Sequence, residues 1–225
     1  MITFHHVSKL YPGGITALDC VDFQIDAGEF MLLTGPNGAG KTTVLKLIYL
    51  DTRPDEGEIR ISFASEPAYH SREGATPART QWLRRHLGIV FQDFKLLQDR
   101  DVFENVALAL RVANAPEARI QNRVHEVLSL TNLSHKAGNL PRELSAGEQQ
   151  RVAIARAVAN EPYAVLADEP TGNLDPETSL GILRIFQDIN AMGTAVLMAT
   201  HDYNLIGSLP NRRLHLEHGK VVNPT

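Results

Sequence analysis

The sequence contains a single cysteine, Cys20, among its 225 residues. An intrachain disulfide needs two cysteines, so a disulfide framework is excluded and the composition is compatible with a reducing cytosol. An excess of positive charge is also lacking, since 22 Lys and Arg residues stand against 26 Asp and Glu residues and the formal net charge is −4. This balance argues against a nucleic-acid-binding domain, which usually carries a basic excess.

Long apolar runs are missing as well. No stretch approaches the roughly 20 consecutive apolar residues that a membrane-spanning helix needs. The first six residues, Met1 to His6, lack the basic region and apolar run of a secretory signal, so we expect no signal peptide. We therefore expect a soluble protein, and any role at a membrane has to come through a partner.

Short apolar segments alternate with helical ones along the chain. Residues 30–33, 164–167 and 194–199 are apolar runs typical of strands buried on both faces. Residues 21–25 alternate between apolar and polar side chains, which predicts a half-buried strand. Strands separated by helices predict an α/β fold with a largely parallel sheet that is covered on both sides.

Apolar residues at helical spacing predict an amphipathic helix over residues 120–128, and the alanine-rich residues 151–159 predict another helix. A further helix is predicted between the last two strands, with four apolar residues on one face: Leu180, Leu183, Phe186 and Ile189.

The middle of the chain has no convincing strand pattern, and we interpret residues 92–160 as an all-helical lobe. This lobe is inserted into a sheet domain made of residues 1–91 and 161–225, within one domain that spans residues 1–225. Residues 62–80 are polar and contain Gly74 and two prolines, so we expect a mobile surface loop there.

One motif predicts the binding of nucleotide phosphates. Between a predicted strand and a predicted helix, the pattern G-x-x-x-x-G-K-[ST] is matched by Gly35-Pro36-Asn37-Gly38-Ala39-Gly40-Lys41-Thr42. Glycines let backbone N–H groups converge on phosphates, and the helix N-terminus adds its dipole. Lys41 is expected to reach the terminal phosphates, Thr42 to ligate Mg²⁺, and Thr43 to bond the α-phosphate. The alternative is an ordinary glycine-rich turn.

Further motifs resemble those of the ATP-binding-cassette (ABC) ATPases. Residues 144–150, LSAGEQQ, resemble the signature motif of that family, and residues 170–175, PTGNLD, resemble its D-loop. Three single residues resemble the glutamine of the Q-loop, the switch histidine and the aromatic residue that stacks on adenine: Gln92, His201 and Tyr11. The resemblance covers nearly the whole chain.

The resemblance implies a P-loop NTPase (RecA-like) core of the ABC type, with an inserted helical signature subdomain and an N-terminal antiparallel β region. It also implies an Mg²⁺-dependent ATPase that forms a homodimer when ATP is bound. Two chains then sandwich two nucleotides, and the signature residues close over the ATP that the other subunit holds: Ser145, Ala146, Gly147 and Glu148. Asp175 of the D-loop is also expected to bind ATP.

Phosphoryl transfer to water needs a metal clamp, an oriented nucleophile and neutralisation of the developing charge. We expect Asp168 to hold Mg²⁺ and Glu169 to take a proton from the attacking water. His201 can donate to the γ-phosphate, and the neutral amide of Gln92 can ligate Mg²⁺ or water. The alternatives are solvated loop carboxylates for the acids, a strand-end cap for the histidine, a surface position for the glutamine, and packing against Pro12 for the aromatic residue Tyr11.

Two residues depart from the family pattern. Ala146 stands where the signature usually has glycine, and its methyl group would lie near the γ-phosphate, which puts tight closure of the dimer in question. Glu148 stands where many members have glutamine.

Other segments narrow the choice within the family. Residues 171–175 are typical of a subgroup with lipoprotein-release, macrolide-export and cell-division ATPases. Four other segments are most similar to the cell-division members: residues 2–14, 90–97, 101–106 and 197–206. That resemblance implies a peripheral protein at the cytoplasmic face of the bacterial inner membrane. There it would bind an integral membrane partner and control peptidoglycan hydrolases, with other division proteins as further candidate partners. A lipoprotein-release or macrolide-export ATPase is the alternative, and a nucleotide-binding scaffold without turnover also stays open.

Apolar residues after Gln92 exceed what a linker needs, and we expect part of this set to line a groove for a partner helix: Phe94, Leu96, Leu97, Val102, Phe103 and Val106. The alternative is that they pack the helical lobe. The histidines other than His201 show no metal-ligand spacing, and we interpret them as structural or surface residues: His5, His6, His70, His86, His125, His135, His215 and His218.

Overall fold

A computed structural model describes residues 1–63, 69–74, 76–172, 174–202, 207 and 211–222. The strands are β1 Ile2–Tyr11, β2 Ile15–Ile25, β3 Phe30–Thr34, β4 Glu56–Ile61, β5 Tyr69–His70, β6 Leu87–Val90, β7 Ala164–Asp168, β8 Ala195–Thr200, β9 Arg212–Glu217 and β10 Lys220–Val221. The α-helices are α1 Lys41–Ile48, α2 Pro77–Arg85, α3 Val102–Val112, α4 Glu117–Leu130, α5 Ala146–Val158 and α6 Pro176–Ala191.

The central sheet has the strand order β10-β9-β3-β8-β7-β6. Strands β9, β3, β8, β7 and β6 are parallel, and β10 pairs antiparallel with β9. Thr34 at the end of β3 is opposite Thr200 at the end of β8, and Asp168 at the end of β7 is opposite Ala199. The segments that leave these strands therefore meet at one edge of the sheet.

A second, antiparallel sheet has the order β2-β1-β4-β5. The two sheets share an apolar core, because Met31 and Leu33 of β3 pack together with α1 and the antiparallel sheet. Phe30 and Leu32 alternate with them and contribute to a separate core that includes residues of α3, α4, α5 and α6. The prediction of an α/β fold with an N-terminal antiparallel region is confirmed.

Between β6 and β7 the chain forms three α-helices and two short 3₁₀ turns, Ser134–Lys136 and Pro141–Glu143, without a strand. All residues of this stretch are described. Its apolar core is continuous with one face of the central sheet. We propose the division into a core of residues 1–91 and 161–225 and a helical subdomain of residues 92–160 on this basis. Among the described residues, no helix combines the length and the apolar character that crossing a membrane requires.

The expectation of a surface loop over residues 62–80 is wrong for its described part. Strand β5 pairs with β4, and α2 begins at Pro77. The Thr76 hydroxyl accepts the N–H of Arg79 as an N-cap. A capping threonine followed by proline at the first helical position is a helix start, which the polar composition obscured. Residues 64–68 and 75 lie outside the described residues.

The expected apolar face of α6 also needs correction. Leu183, Phe186 and Ile189 are buried, but Leu180 is 48% exposed. Three residues turn a helix by about 300°, so a repeat of three drifts around the axis and places Leu180 opposite Ile189. Ile182 belongs to the buried face instead.

Candidate active site

The edge of the central sheet where β3, β6, β7 and β8 end carries the candidate site. A cavity of about 320 Å³ there is lined by residues of β1, β2, the phosphate loop, α1 and the ends of β6 and β7. The sequence-predicted residues on its wall are Tyr11, Asn37, Gly38, Gly40, Lys41, Thr42, Thr43, Gln92 and Glu169. The fold thus gathers residues that lie far apart in the sequence.

The phosphate loop takes a backbone path that two of its glycines make possible. A Cβ on Gly35, at φ 145°, would lie 2.1 Å from the carbonyl oxygen of Leu216, and one on Gly40, at φ 107°, would lie 2.5 Å from that of Ala17. Gly38 has φ 79° and no atom within 4 Å of the position of a Cβ. A side chain would fill this open space, so the loop is shaped as a cradle for a ligand.

Lys41 is the first residue of α1 and is only 6% exposed. Its Nζ donates to the carbonyl oxygens of Gly35 at 2.8 Å and Pro36 at 3.1 Å. It also lies 3.3 Å from Oε1 of Glu169. The ammonium group is therefore held above the loop, where a phosphate oxygen could replace its carboxylate partner.

Glu169 links the lysine to the histidine. Its Oε2 lies 2.8 Å from Nδ1 of His201 and accepts the His201 backbone N–H at 3.3 Å. Glu169 also has φ +47°, an uncommon conformation for a residue with a Cβ. Such strain concentrates at functional sites, and here it directs the carboxylate between two groups that can bind phosphate.

Asp168 and Thr42 form a second cluster of oxygen atoms. The Thr42 hydroxyl donates to Oδ1 of Asp168 at 3.2 Å. Burial raises the pKa of Asp168, and the nearby carboxylate of Glu169 raises it further. Both residues line a cavity of about 460 Å³ that also contains Gln92. A hydroxyl, a carboxylate and an amide oxygen are the donors that Mg²⁺ prefers, so these residues fit the metal.

Tyr11 ends β1 on the wall of the phosphate-loop cavity. The Nζ atom of Lys9 lies 5.7 Å from the centre of its ring. Its place beside the loop favours contact with a nucleotide base over simple packing at the turn, and the adenine-stacking role stays a prediction.

The signature segment, residues 144–150, lies outside the two cavities described above. Ser145 caps α5: its hydroxyl accepts the N–H of Glu148, whose carboxylate accepts the N–H of Ser145. This bond and Lys136 lower the pKa of Glu148. Ser145 and Ala146 are exposed, and the first N–H groups of the helix have no intrahelical acceptors. None of the four residues from Ser145 to Glu148 lines either cavity described above.

Asp175 caps α6 in the same way. Its carboxylate accepts the backbone N–H of Thr178 at 2.9 Å and the Thr178 hydroxyl at 2.6 Å, and these bonds lower the pKa of Asp175. A Cβ on Gly147 would lie 2.4 Å from the methyl group of Thr178. The starts of α5 and α6 are therefore adjacent, and they bring the signature and D-loop segments together. Asn173 of the D-loop lies outside the described residues.

Tyr49 is a site residue that sequence reasoning missed. It lines the cavity beside Asp168, and burial together with the charges of Asp51 and Asp168 raises its pKa to about 12. Thr42 and Lys46 of α1 and its C-cap residue Tyr49 are spaced at i, i+4 and i+7, which places them on one side of the helix. This spacing was the signal that could have revealed it.

Comparisons with known proteins indicate the family and the fold of the chain. A family model described as ABC transporter matches residues 18–172. The cell division ATP-binding protein FtsE of Escherichia coli (strain K12) is 50% identical over 221 residues, 98% of this chain and 97% of the relative. FtsE of Bacillus subtilis (strain 168) is 45% identical over 222 residues, 99% of this chain and 95% of the relative.

Solved structures show the same arrangement of the chain. The dimeric structure of MJ0796, a bacterial ABC transporter cassette, has a TM-score of 0.87 at 35% identity, and the match covers 99% of this chain and 97% of the cassette. A dimeric post-hydrolysis structure of that cassette, bound to ADP and Pi, matches equally well, with a TM-score of 0.87.

Proposed function

Because this chain belongs to the ABC transporter family of ATPases and is homologous to the FtsE proteins over nearly its full length, we propose that it is the ATP-hydrolysing subunit of an FtsEX-like complex. In this role it drives conformational signalling through an integral membrane protein resembling FtsX, which controls peptidoglycan hydrolysis in bacterial cell division. The observation that carries the catalytic part is the position of Glu169 between Lys41 and His201.

The proposed reaction starts when the phosphate loop takes up ATP. Lys41 then exchanges its carboxylate partner for the β- and γ-phosphates, which frees Glu169. The carboxylate accepts a proton from the attacking water, and His201, which lies 2.8 Å from that carboxylate in the structure, donates to the γ-phosphate. Tyr11 supports the adenine ring. The products are ADP and phosphate.

Mg²⁺ is the proposed metal cofactor, and it would neutralise negative charge that develops on the phosphates during transfer. Thr42, Asp168 and Gln92 would hold it, since they line one cavity. Of the three, Gln92 follows β6, at the junction between the central sheet and the helices that come after it.

A homodimer completes the proposed site. The signature segment of one chain does not line its own phosphate-loop cavity. Its exposed serine hydroxyl and the free N–H groups of Ala146 and Gly147 suit an anion presented by a second chain. The methyl group of Ala146 is exposed on the first turn of α5 and would face that anion.

The membrane partner needs a docking surface, and we propose a position beside the expected residues, because most of those residues are buried. Val102 and Val106 are fully buried and Leu96 is 8% exposed, so these residues pack the core. Phe94 and Phe103 also pack against it, and Leu97 is 40% exposed. Most of the six apolar residues after Gln92 therefore pack the helical lobe, as the alternative interpretation held, and do not line a groove for a partner.

A groove of about 990 Å³ lies beside these residues, between α2, β6, α3 and α5. Leu108 and Val112 are 37% and 53% exposed on its α3 side. The Arg156 guanidinium lines the groove and donates to the carbonyl oxygens of Phe94 and Lys95, both at 2.7 Å. These bonds connect the groove to the segment after Gln92, so an amphipathic helix of the partner there could sense the nucleotide state.

The proposal places the protein at the cytoplasmic face of the bacterial inner membrane as a peripheral subunit. Co-purification from membranes tests it directly. Recovery of an FtsX-like protein supports the proposal, whereas recovery of lipoprotein-release or macrolide-export subunits supports the alternative.

The groove is tested in the same experiment with Val112→Gln. The partner would cover the exposed half of this side chain, worth about half of the roughly 1.5–3 kcal/mol of full burial, so its loss weakens docking roughly three- to tenfold while ATP binding is kept. The matched control is Met192→Gln, because Met192 is 64% exposed outside the groove. Normal recovery of the partner by Val112→Gln would place the docking surface elsewhere.

A further inference from the structure

Three metal-binding side chains meet on the antiparallel sheet, away from the ATP site. One ligand atom each from His6, Cys20 and Asp22 lies within 4.8 Å of the other two. None of these residues lines either cavity of the candidate active site. We propose that they form a binding site for one Zn²⁺ ion.

The distances suit a tetrahedral metal. Nδ1 of His6 lies 3.6 Å from Sγ of Cys20 and 2.7 Å from Oδ2 of Asp22. Zinc bonds of about 2.0–2.3 Å at a tetrahedral angle hold neighbouring ligand atoms about 3.5 Å apart. The nitrogen and sulfur already have this spacing, and the nitrogen and carboxylate oxygen need to separate by less than 1 Å.

The backbone creates the cluster through two irregular positions in paired strands. His6 has φ 48° and Cys20 has φ 52°, and the register of β1 with β2 shifts between Phe4 and Val7. Residues with a Cβ adopt such angles uncommonly, so the geometry is imposed by the surrounding pairing. The His6 backbone N–H also donates to Oδ1 of Asp22 at 3.0 Å, which fixes the carboxylate beside the imidazole.

The chemistry of the three groups selects the metal. Imidazole, thiolate and carboxylate together suit Zn²⁺, whereas Mg²⁺ prefers oxygen donors. Zinc binding replaces the proton on the Cys20 thiol and needs a neutral His6 ring, so the site releases protons to solvent as the metal binds. A water molecule completes the coordination and can enter from the cavity of about 360 Å³ that Cys20 and Asp22 line.

A histidine and a lysine lie near the cluster. Nδ1 of His5 is 3.8 Å from Oδ1 of Asp22. Lys220 lines the same cavity, and its ammonium group lies 3.1 Å from a carboxylate oxygen of Asp19. This partner offsets the repulsion that the lysine would exert on a metal ion. The site therefore remains favourable for a divalent cation.

Titration of the metal-stripped, untagged full-length protein with Zn²⁺, in the absence of nucleotide, tests the proposal. We expect one equivalent to bind. Three variants each remove one ligand: Cys20→Ser, His6→Ala and Asp22→Asn. Loss of only an outer-shell partner usually weakens metal binding roughly ten- to hundredfold. Loss of a direct ligand should therefore weaken Zn²⁺ binding by at least that factor. The control is His135→Ala, an exposed histidine outside the cluster, which should leave the affinity unchanged.

Co²⁺ provides a second readout that reports sulfur ligation. The protein with Co²⁺ should show a thiolate-to-metal charge-transfer band that Cys20→Ser removes, and far-ultraviolet circular dichroism shows that the variant is folded. Equal Zn²⁺ affinity in the wild type and Cys20→Ser, or a Co²⁺ spectrum without the band, would overturn the proposal.

Discussion

The phosphate-loop side and the signature side of this molecule are built differently. Lys41 and Glu169 are nearly buried. They bond to each other, Lys41 also bonds to the loop after β3, and Glu169 also bonds to residues at the end of β8. Ser145 and Ala146 are exposed, and the bonds of the signature segment serve mainly to cap its own helix. One side is a formed ligand site within a single chain, whereas the other presents a helix start to the outside.

This difference indicates a division of labour. In the proposed mechanism a single chain binds ATP, and the signature segment of a second chain adds charge neutralisation at the γ-phosphate. Substitutions on the two sides should therefore separate nucleotide binding from dimer formation.

The largest effect is expected from Lys41→Ala. It removes charge-assisted hydrogen bonds to two phosphates, each worth about 1.5–3 kcal/mol, so ATP affinity should fall by about 10²- to 10⁴-fold. Equilibrium titration with ATP measures this. Lys220→Ala, which changes an exposed lysine, is the control, and near-normal affinity in Lys41→Ala would contradict the assignment of the phosphate loop.

Glu169→Gln should keep ATP binding and slow hydrolysis by about 10²- to 10⁴-fold, the usual contribution of a positioned general base. Because cleavage reopens the dimer, this variant should accumulate as a dimer with Mg²⁺ and ATP. Steady-state phosphate release and light scattering provide the two readouts. A variant that hydrolyses ATP at the normal rate, or stays monomeric at high concentration, would argue against this role.

Substitutions at Ser145 test the signature side alone. Aspartate and asparagine are equally good helix N-caps, so Ser145→Asp and Ser145→Asn both keep α5. Only aspartate adds a negative charge that would face the γ-phosphate of the partner chain. We expect unchanged ATP affinity in both monomers and an ATP-dependent dimer weakened at least about tenfold in Ser145→Asp relative to Ser145→Asn.

If Ser145→Asp instead lost ATP affinity as a monomer, the signature segment would contact its own nucleotide. The contrast between the two sides would then be wrong. Sedimentation in the Glu169→Gln background, where the dimer persists, provides the measurement.

The smallest effect is expected from Asp175, whose carboxylate caps α6. Asp175→Ala should lower the melting temperature slightly at pH 7, and Asp175→Asn should preserve it. The Thr178 donors hold the pKa of Asp175 below its ordinary value of 3.8. The stabilisation is therefore complete above that value and is lost as the pH falls through the lowered pKa.

Thermal melts between pH 7 and pH 3 test this pH dependence of the stabilisation by Asp175. The difference between wild type and Asp175→Ala should shrink as the pH falls. A difference that grows toward acid pH would show that the cap does not carry the effect.

The sequence predictions that the structure confirmed rest on patterns of residues that are close together in the sequence. The phosphate loop lies in one continuous segment between a buried strand and a helix, so its fold follows from nearby residues. Asp168 and Glu169 were found because they end an apolar strand. The carboxyl ends of parallel strands meet at one edge, and this rule brings both acids to the loop.

What could not be predicted depends on contacts between distant segments. The zinc-ligand cluster arises from irregular pairing of β1 with β2, which no spacing of histidines encodes. The positive φ of Glu169 and its ion pair with Lys41 are also set by tertiary packing. In α6, the apolar residues from Leu180 to Ile189 repeat every three positions, and this suggested a single apolar face. The helical period of 3.6 residues does not keep such a repeat on one face.

Mixing two defective chains tests the central claim most directly. Lys41→Ala has a damaged loop and an intact signature segment, whereas Ser145→Asp has the reverse. Each alone should show little ATP hydrolysis, and a mixed dimer contains one site with both intact parts. The account predicts that mixing restores measurable phosphate release; a mixture no more active than its components would contradict it.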